Sequence, residues 1–441
     1  MRKKTFVGGI HPFEGKSFTE KKSIEILPNP KSVYIPLQQH IGAPTNPLVE
    51  KKQEVRAGEK IAEVNSFVSA PVHASISGTV TGILDIIHPV SGKGKAIVIE
   101  GNGEDSWTDA IKFEDNYMDL PASEMLSRIK EAGLAGLGGA TFPTHVKLSP
   151  PPDKKIDVAI LNGAECEPYL TADHRLMLEQ PQDIVNGLRI MMKILSVKRG
   201  IIGIEDNKPD AIQTMHKLVK NEAGMEVAVF PVKYPQGAEK QLIRAALGRE
   251  VPSGGLPMDV GVVVQNVGTA KAIFEAVSSH KPLTHRIVTV TGPGVKEPKN
   301  LLVPIGTQFQ DVVDFCGGLT ERAAKIIMGG PMMGLPQPNL EVPVVKGTSG
   351  ILVLEEDQAH LPVEDPCIGC GRCVEVCPSH LMPTALQMLV SHGQTLEAED
   401  LHIMDCIECG SCSFICPANR RLLHEIRFGK RKVLEMRRKV G

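Results

Sequence analysis

The chain has 441 residues and a formal net charge of −2 at pH 7, with 42% hydrophobic and 23% charged residues. This length is too great for a single core and predicts about three or more domains. A charge so close to zero gives no indication of nucleic-acid binding. No run approaches the roughly twenty apolar residues of a spanning helix, and no apolar segment follows the basic N-terminus, so we expect neither an integral membrane protein nor a secretory signal.

Residues 1–32 are expected to form an N-terminal arm, and residues 33–115 a small β domain. Short strand-like runs separated by turn residues, such as "SVYIPL", "SAPVHASISGTVTGIL" and "KAIVIEG", are typical of such a domain. The stretches "VRAGEKIAEV" and "SAPVHASISGTV" resemble the barrel-sandwich fold of biotinyl and lipoyl carriers. These carriers need a hairpin lysine as their acylation site, and no lysine lies between Lys60 and Lys93. We therefore expect a docking or scaffold role for this domain.

Residues 120–280 alternate buried-strand runs with amphipathic helical patterns. The runs "KIDVAILN", "RGIIGIE", "MEVAVFPV" and "VGVVVQN" predict strands, and "PDAIQTMHKLVKN" and "GAEKQLIRAALG" predict helices between them. This alternation indicates βαβ units and a mostly parallel sheet, as in a Rossmann-like domain. In such sheets ligands bind beyond the carboxyl ends of the strands.

Residues 284–335 contain two strand-like pieces around a Gly/Pro turn and then a helical pattern, which predicts a small β-grasp-like module. Cys316 has no cysteine close to it in sequence, and we interpret it as a small buried apolar residue. Residues 421–441 place many lysines and arginines on a predicted helix. We interpret this basic tail either as a solvated face or as a docking site for acidic lipid or an acidic partner subunit.

Two cysteine runs distinguish residues 357–420: "CIGCGRCVEVCP" begins at Cys367 and "CIECGSCSFICP" begins at Cys406. A cysteine at every third position, a wider final step and a following proline form the ligand pattern of bacterial ferredoxins. We predict an α+β domain with two [4Fe–4S] clusters, in which the fourth cysteine of each run ligates the other cluster. The predicted ligand sets are Cys367, Cys370, Cys373 and Cys416 for one cluster, and Cys406, Cys409, Cys412 and Cys377 for the second.

Zinc and disulfides are the alternatives for these thiols. Zinc sites usually use two separated CxxC pairs, whereas this chain has two four-cysteine runs that each end in proline. Neighbouring thiols in a chain without a secretory signal are expected in a reducing compartment, which disfavours disulfides. The spacing therefore favours iron–sulfur clusters.

A glycine-dense stretch, "AGLAGLGGATFPTHVKL" at residues 132–148, lies in the predicted parallel-sheet domain. Its backbone N–H groups can surround a phosphate, with Lys147 as a point charge, and a purely structural turn is the alternative. The run "LNGAECEPY" at residues 161–169 follows a strand-like segment with amide and carboxylate side chains. These groups are expected at the sheet edge where a nucleotide would lie.

The glycine-dense stretch, "NGAECEP", "QGAEKQLIRAALG" and "QNVGTA" resemble, in this order, the FMN- and NADH-binding segments of the flavin-carrying subunit of respiratory complex I. The whole layout is similar to the RnfC family of the Rnf electron-transfer complexes. That similarity includes "GGIHP", "IPLQQHIGAP", the barrel-sandwich piece, an SLBB-like β-grasp module and the paired ferredoxin runs. The resemblance covers almost the entire chain, and all these features occur in one order.

The resemblance implies roles for individual residues. Positions matched to the flavin phosphate and the backbone near it are Gly136, Gly138, Gly139 and Lys147. Positions matched to other flavin contacts are Asn162, Gly237, Asn266 and Thr269. Positions matched to dinucleotide contacts are Phe142, Glu167 and Glu239. The chain departs from the complex I pattern at five positions. The complex I loop has arginines and an extra glycine where this chain has Ala135, Leu137 and Thr141, and acidic residues where this chain has Ala164 and Ala238.

One further residue of the second motif, Cys166, is not interpreted as a catalytic thiol. No histidine or other base lies beside it in sequence. The resemblance matches its position to small serine-like residues. No catalytic side chain is predicted, because the resemblance assigns hydride transfer to bound FMN.

The resemblance implies a ferredoxin:NAD⁺ oxidoreductase subunit that relays electrons between NAD(H) and ferredoxin through FMN and two [4Fe–4S] clusters. Its implied location is peripheral, on the cytoplasmic side of the cell membrane. Its implied partners are the integral subunits of an ion-translocating complex and a ferredoxin-type subunit, with ferredoxin reached indirectly and no nucleic acid bound. The alternatives are a cobalamin reductase of the propanediol-utilisation type and a non-catalytic electron-wiring scaffold that has lost flavin.

Overall fold

The structure is a computed structural model that describes residues 5–104 and 106–440. It has the predicted multidomain α/β architecture, with four sheets and a helical C-terminal part. The N-terminal arm contributes a 3₁₀ turn, Lys16–Phe18, and the first strand, β1 (Ile24–Ile26).

The barrel-sandwich domain consists of two small antiparallel sheets that enclose an apolar core. One sheet has the order β2-β8-β7-β4 and the other has the order β3-β5-β6. Side chains of the strand Ser32–Pro36 alternate, because Val33 and Ile35 are fully buried while Tyr34 between them is partly exposed. The strands are β2 (Ser32–Pro36), β3 (Asn46–Pro47), β4 (Glu54–Val55), β5 (Lys60–Glu63), β6 (Val72–His73), β7 (Gly78–Ile86) and β8 (Gly94–Gly101).

The central domain has a four-stranded parallel sheet with helices on both faces. Three of its four strands are aliphatic runs buried on both sides, as expected for a covered parallel sheet, and the edge strand Met225–Phe230 is partly exposed. The strands are β9 (Val158–Gly163), β10 (Arg199–Glu205), β11 (Met225–Phe230) and β12 (Val262–Asn266). The helices are α1 (Ala122–Glu131), α2 (Thr144–Lys147), α3 (Ala172–Glu179), α4 (Pro181–Leu195), α5 (Pro209–Val219), α6 (Glu239–Leu247) and α7 (Val267–Ser279).

The strand order of this sheet, β11-β10-β9-β12, reverses direction beside β9. The chain moves from β9 through β10 to β11 on one side and then returns to place β12 on the other side. A crevice therefore opens between the carboxyl ends of β9 and β12, which is where doubly wound sheets bind ligands. Asn162 and Asn266 are direct partners in the register at these two ends.

A six-stranded mixed sheet follows, with the order β1-β14-β13-β17-β15-β16. It extends beyond the predicted 284–335 module, because β1 of the arm pairs in parallel with β14 and a later strand, β17, joins its centre. Sequence periodicity identifies strands but does not show which sheet a distant strand joins. The elements are β13 (His285–Thr291), β14 (Lys299–Pro304), α8 (Phe309–Phe315), β15 (Ala323–Met328), β16 (Leu335–Gln337) and β17 (Gly350–Glu355).

The C-terminal part contains the two cysteine runs. Although we expect an α+β domain, residues 356–440 form helices and loops without an assigned strand. The predicted basic tail is a helix that buries Leu422, Ile426 and Val433, so only its outer face is solvated. No described helix is long and apolar enough to cross a membrane. The helices are α9 (Glu356–Ala359), α10 (Arg372–Glu375), α11 (Pro383–Ser391), α12 (Thr395–Asp400), α13 (Ser411–Phe414) and α14 (Leu422–Val440).

Candidate functional site

The crevice between β9 and β12, which we call the switch-point cleft, is bordered by the two paired asparagines. The Asn162 amide donates to the Gly237 carbonyl at 2.7 Å and accepts from the Ala164 N–H at 3.2 Å. The Asn266 side chain caps α7 by accepting from the Gly268 N–H at 2.7 Å. Both side chains remain partly accessible at an edge that is otherwise buried. The fold therefore brings together residues from three of the segments that the sequence predicts to contact flavin.

Residues 136–139, which we call the glycine loop, lie against the end of β12. The loop is closed by a hydrogen bond of 2.9 Å from the Gly136 N–H to the Phe142 carbonyl. A Cβ on Gly138 would lie 3.2 Å from the Asn266 Cβ, and Gly139 has a φ of 74°, so both positions favour glycine. Among the described residues, none accepts a hydrogen bond from the N–H of Gly138 or Gly139. Exposed, unpaired N–H groups of this kind fit a phosphate.

The predicted phosphate contact Lys147 and the predicted dinucleotide contact Glu239 form an ion pair of 2.6 Å across the cleft. Glu239 is the first residue of α6, where a carboxylate is favoured by the helix dipole. Both side chains are partly exposed. The Lys147 charge is thus available to a ligand only in competition with this carboxylate.

A second predicted dinucleotide contact, Glu167, lies in the turn after β9 and faces the six-stranded sheet. One oxygen of its carboxylate accepts hydrogen bonds from the N–H groups of Met332 and Met333, at 2.6 and 3.0 Å. Burial raises the pKa of Glu167, and these two N–H groups oppose that shift. The third predicted dinucleotide contact, Phe142, is only partly buried beside the glycine loop.

Two buried lysines, which no sequence motif identifies, donate hydrogen bonds to backbone carbonyls of the turn after β9. The Lys16 ammonium of the arm donates to the carbonyls of Glu165, Glu167 and Leu170, at 2.8, 3.2 and 2.7 Å. The Lys208 ammonium donates to the Ala164 carbonyl at 2.8 Å. Neither lysine lies in a motif, because each acts through contacts with a distant segment.

Asp173, at the start of α3, is another residue without a sequence signal. It accepts a hydrogen bond of 2.6 Å from the N–H₂ end of the Asn266 amide. Burial, and after it the Glu165 carboxylate, raise the pKa of Asp173 to about 7, while Arg286, Asn266 and Lys208 favour its ionised form. A carboxyl whose pKa is raised by burial therefore lies directly behind the switch-point cleft.

We expect the Asp173→Asn variant to change the pH dependence of stability. The folded-state pKa of Asp173 lies above the unfolded value of about 4, so this carboxyl stabilises the fold at acidic pH. That contribution is lost as the pH rises from about 4 to about 7. Urea midpoints measured at pH 5 and pH 8 should fall more with pH in the parent chain than in Asp173→Asn. Equal changes in both proteins would contradict the assignment.

The cysteines form two groups. Cys367, Cys370, Cys373 and Cys416, the first thiol set, line a cavity of about 180 Å³. A second, smaller cavity is lined by Cys377, Cys406, Cys409 and Cys412, the second thiol set. Each set therefore combines three cysteines of one run with the last cysteine of the other run.

The surroundings of both cavities fit iron–sulfur clusters. The Cys367 and Cys406 sulfurs each accept a backbone N–H two residues later, at 3.5 and 3.4 Å, and such bonds tune cluster potentials. Gly371 and Gly410 have positive φ, which lets the chain bend closely around the thiols. The four thiols of each set line one cavity, which is the arrangement that a [4Fe–4S] cluster requires.

The second thiol set adjoins the central domain through Tyr234, a residue that is 2% exposed. The Tyr234 hydroxyl donates to the Cys409 carbonyl at 2.8 Å, and burial together with the nearby Glu167 carboxylate raises the pKa of this hydroxyl. The first thiol set lies on the outer side, because Cys367 and Cys370 are exposed. The two sets are connected by an apolar cluster of Cys373, Cys412 and Leu422.

The remaining cysteines have structural environments. The Cys166 sulfur accepts the Gly237 N–H at 3.1 Å, and burial raises the pKa of its thiol, which opposes thiolate formation. Cys316 is fully buried in the core of the six-stranded sheet, as the sequence predicts, and its pKa is raised to about 12 by burial.

Four family models match consecutive segments of the chain. They are the RnfC barrel sandwich hybrid domain at residues 4–104, the Nuo51 FMN-binding domain at 129–275, the SLBB domain at 287–336 and the 4Fe-4S dicluster domain at 366–420. A chain of an NAD⁺-reducing [NiFe]-hydrogenase crystal structure, in the air-oxidized state, has a similar fold. The two structures match with a TM-score of 0.50 and 19% sequence identity. The match covers 70% of this chain and 64% of the hydrogenase chain, which is less than two thirds of the hydrogenase chain.

Relatives match over almost the full length, and each is the C component of a multisubunit complex. The one from the proton-translocating ferredoxin:NAD(+) oxidoreductase complex of Clostridium ljungdahlii is 55% identical over 96% of this chain and 93% of its own. The relative from the Na(+)-translocating ferredoxin:NAD(+) oxidoreductase complex of Acetobacterium woodii is 48% identical, over 99% of this chain and 98% of its own length. The relative from the ion-translocating oxidoreductase complex of Rhodobacter capsulatus is 43% identical, over 97% of this chain and 83% of its own length. This chain therefore belongs to the RnfC family of ion-translocating oxidoreductase complexes.

Proposed function

We propose that this chain is the subunit of an ion-translocating ferredoxin:NAD⁺ oxidoreductase complex that relays electrons between NAD(H) and the rest of the complex. The observation that carries the proposal is the position of Tyr234, which packs against Cys166 in the turn after β9 and donates to the Cys409 carbonyl of the second thiol set. A flavin site and an iron–sulfur site that share one buried residue form a continuous route for electrons. FMN, when bound, exchanges hydride with a nicotinamide and single electrons with a cluster.

For the flavin, the proposed roles follow from the cleft. Gly136, Gly138 and Gly139 form the loop that receives the phosphate, and the free N–H groups of Gly138 and Gly139 supply the donors. Lys147 adds positive charge beside the loop, shared with Glu239. The remaining proposed contacts, which border the cleft at the ends of β9 and β12, before α6 and in the first turn of α7, are Asn162, Gly237, Asn266 and Thr269.

For the dinucleotide, we propose the outer side of the same cleft. Phe142 is partly exposed there and offers a ring face to a base. The Glu239 carboxylate can accept hydrogen bonds there from ribose hydroxyls or a carboxamide. The third proposed dinucleotide contact is the Glu167 carboxylate in the turn after β9, where it also accepts from the Met332 and Met333 N–H groups. Binding at Glu239 would loosen its ion pair with Lys147 and free that ammonium for a phosphate.

For the clusters, we propose one [4Fe–4S] cluster in each thiol set, with Cys416 and Cys377 as the crossed ligands. The second thiol set, next to Tyr234, exchanges electrons with the flavin. The first thiol set, with exposed Cys367 and Cys370, exchanges electrons with a partner. This order follows from burial, because the outer set is the one that a partner protein can approach.

For location and partners, we propose a peripheral subunit on the cytoplasmic side of the membrane, bound to integral subunits and to a ferredoxin-type subunit of the complex. The relatives named above, which belong to ion-translocating complexes, support this proposal. We propose the domains as predicted, 33–115, 120–280, 284–335 and 357–420 with the arm and tail, and with β1 and β17 added to the third.

The proposed function is tested by anaerobic addition of NADH to protein with reconstituted clusters, before and after FMN is supplied. Without FMN, the clusters should stay oxidised by EPR. With FMN, flavin absorbance should bleach and cluster signals should appear. If clusters form but FMN does not bind, the chain is an electron-wiring scaffold and the proposed function is wrong. If the clusters are reduced equally without FMN, the assignment of the flavin as intermediate is wrong.

A further inference from the structure

The glycine loop lacks a positive charge of its own. Residues 132–146 contain no lysine or arginine, and the next residue, Lys147, has its ammonium 2.6 Å from the Glu239 carboxylate. A phosphate brings roughly two negative charges, so hydrogen bonds from free N–H groups need support from a nearby cation. The cation that touches this loop from below comes from a different domain.

That cation is Arg286, the second residue of β13 in the six-stranded sheet. Its side chain is 4% exposed, and one end of its guanidinium donates to the Leu137 carbonyl at 2.6 Å. The other end approaches the first turn of α7, where a Cβ on Gly268 would lie 3.6 Å from the Nη1 atom. Arg286 thus lies under the junction of the glycine loop and α7.

The peptide groups on both sides of Leu137 are held by buried side chains. The Leu137 N–H donates to the Thr269 hydroxyl at 2.9 Å, and its carbonyl accepts from Arg286. The next two residues, Gly138 and Gly139, are exposed, and no described residue accepts from their N–H groups. Because the Leu137 carbonyl and the Gly138 N–H lie in one peptide plane, fixing Leu137 sets the direction of the Gly138 N–H and the start of the turn to Gly139.

The charges around Arg286 indicate that its guanidinium does more than fill space beneath the glycine loop. The nearby carboxylates of Asp173 and Glu165 are attracted to its guanidinium, and its Nε–H has no hydrogen-bond partner among the described residues. A buried arginine with a free donor and only partial hydrogen bonding is costly unless its charge is used. Here the guanidinium charge favours the ionised form of Asp173 and attracts Glu165.

We propose that Arg286, supplied by the six-stranded sheet, is a positioning residue that holds the glycine loop in the shape that receives the phosphate of FMN. This inference rests on the proposed function. Arg286 lies outside the segment that matches the FMN-binding domain, which ends at residue 275. The phosphate site is therefore built by two domains.

The proposal predicts a loss of affinity that is specific for the phosphate. FMN and riboflavin differ only by that group, so their dissociation constants are measured by flavin fluorescence for the full chain and its variants. In Arg286→Gln the FMN affinity should fall roughly tenfold or more, while riboflavin affinity changes by less than about twofold. Arg286→Lys should lie between the parent and Arg286→Gln, since it keeps the charge but not the planar donor geometry.

Arg128 provides a matched control in the central domain. It is also a mostly buried arginine that donates to a carbonyl, that of Val277 at 2.8 Å, and it pairs with Glu114. Arg128→Gln should leave the ratio of FMN to riboflavin affinity unchanged. If Arg286→Gln does not fold, Thr269→Val carries the test, because it removes the other support of Leu137 and should reduce the same ratio.

The outcomes separate this inference from the proposed function. If the parent chain binds neither FMN nor riboflavin, the proposed function fails. If the parent binds FMN and Arg286→Gln keeps the parental ratio of FMN to riboflavin affinity, the positioning role is wrong. An equal loss of both affinities would also overturn it, since a merely structural residue would weaken both ligands alike.

Discussion

The double variant Cys367→Ala/Cys416→Ala is expected to retain one [4Fe–4S] cluster, whereas Cys367→Ala/Cys377→Ala is expected to lose both. In the structure, Cys367 and Cys416 line one cavity, and Cys377 lines the other with Cys406, Cys409 and Cys412. Two substitutions within one set therefore remove a single cluster. Two substitutions in different sets damage both.

Iron and acid-labile sulfide per chain measure this result after anaerobic reconstitution. Each double variant removes two of the eight thiols, and both variants include Cys367→Ala. They therefore differ only in the second cysteine that is replaced. If each run instead binds its own cluster without crossing, the two results are exchanged. Cys367→Ala/Cys377→Ala would then keep one cluster, and Cys367→Ala/Cys416→Ala would keep none.

Lys16→Met is expected to abolish FMN binding and to lower the free energy of unfolding by about 3–5 kcal/mol. Lys16 is 6% exposed, and its ammonium satisfies three carbonyls of the turn after β9. Methionine keeps the length of the side chain but leaves these carbonyls without their donor. Each buried, unsatisfied group costs about 1–3 kcal/mol, so the turn should change its conformation.

Lys22→Met is the control, because Lys22 belongs to the same arm but its exposed side chain donates to only one carbonyl, that of Pro298. Its effect on unfolding should be about 0.5 kcal/mol or less. Thermal unfolding and FMN titration are measured for both variants. Parental FMN affinity in Lys16→Met would show that the turn does not depend on the arm.

Much of the fold is predictable from local sequence patterns. The strand β9 comes from "KIDVAILN", an uninterrupted aliphatic run whose burial on both faces is typical of a central parallel strand. That run ends in Asn162, which lies at the carboxyl edge of the sheet. The run "VGVVVQN" of β12 likewise ends in an asparagine, Asn266, at the same edge. Their side-by-side placement follows from the parallel order, so the switch-point cleft is foreseeable.

The supporting residues are not predictable, because their contacts join distant segments. Lys16 reaches the carbonyl of Glu165 across 149 positions, and Arg286 reaches Leu137 across the same number. Neither residue lies in a motif with a recognisable spacing. The strand β1 joins the six-stranded sheet for a similar reason, since an edge partner is chosen by tertiary packing and not by the three-residue strand itself.

The central claim is that electrons pass from the switch-point cleft to the second thiol set and then to the first. It is tested most directly in Cys377→Ala, reconstituted with iron, sulfide and FMN, with Cys416→Ala as the matched variant. After anaerobic addition of NADH, freeze-quench EPR follows the remaining cluster. We predict that flavin bleaches in both variants, that the second set is reduced rapidly in Cys416→Ala, and that the first set in Cys377→Ala is reduced far more slowly. Rapid reduction of the first set in Cys377→Ala, at the parental rate, would contradict the proposed order.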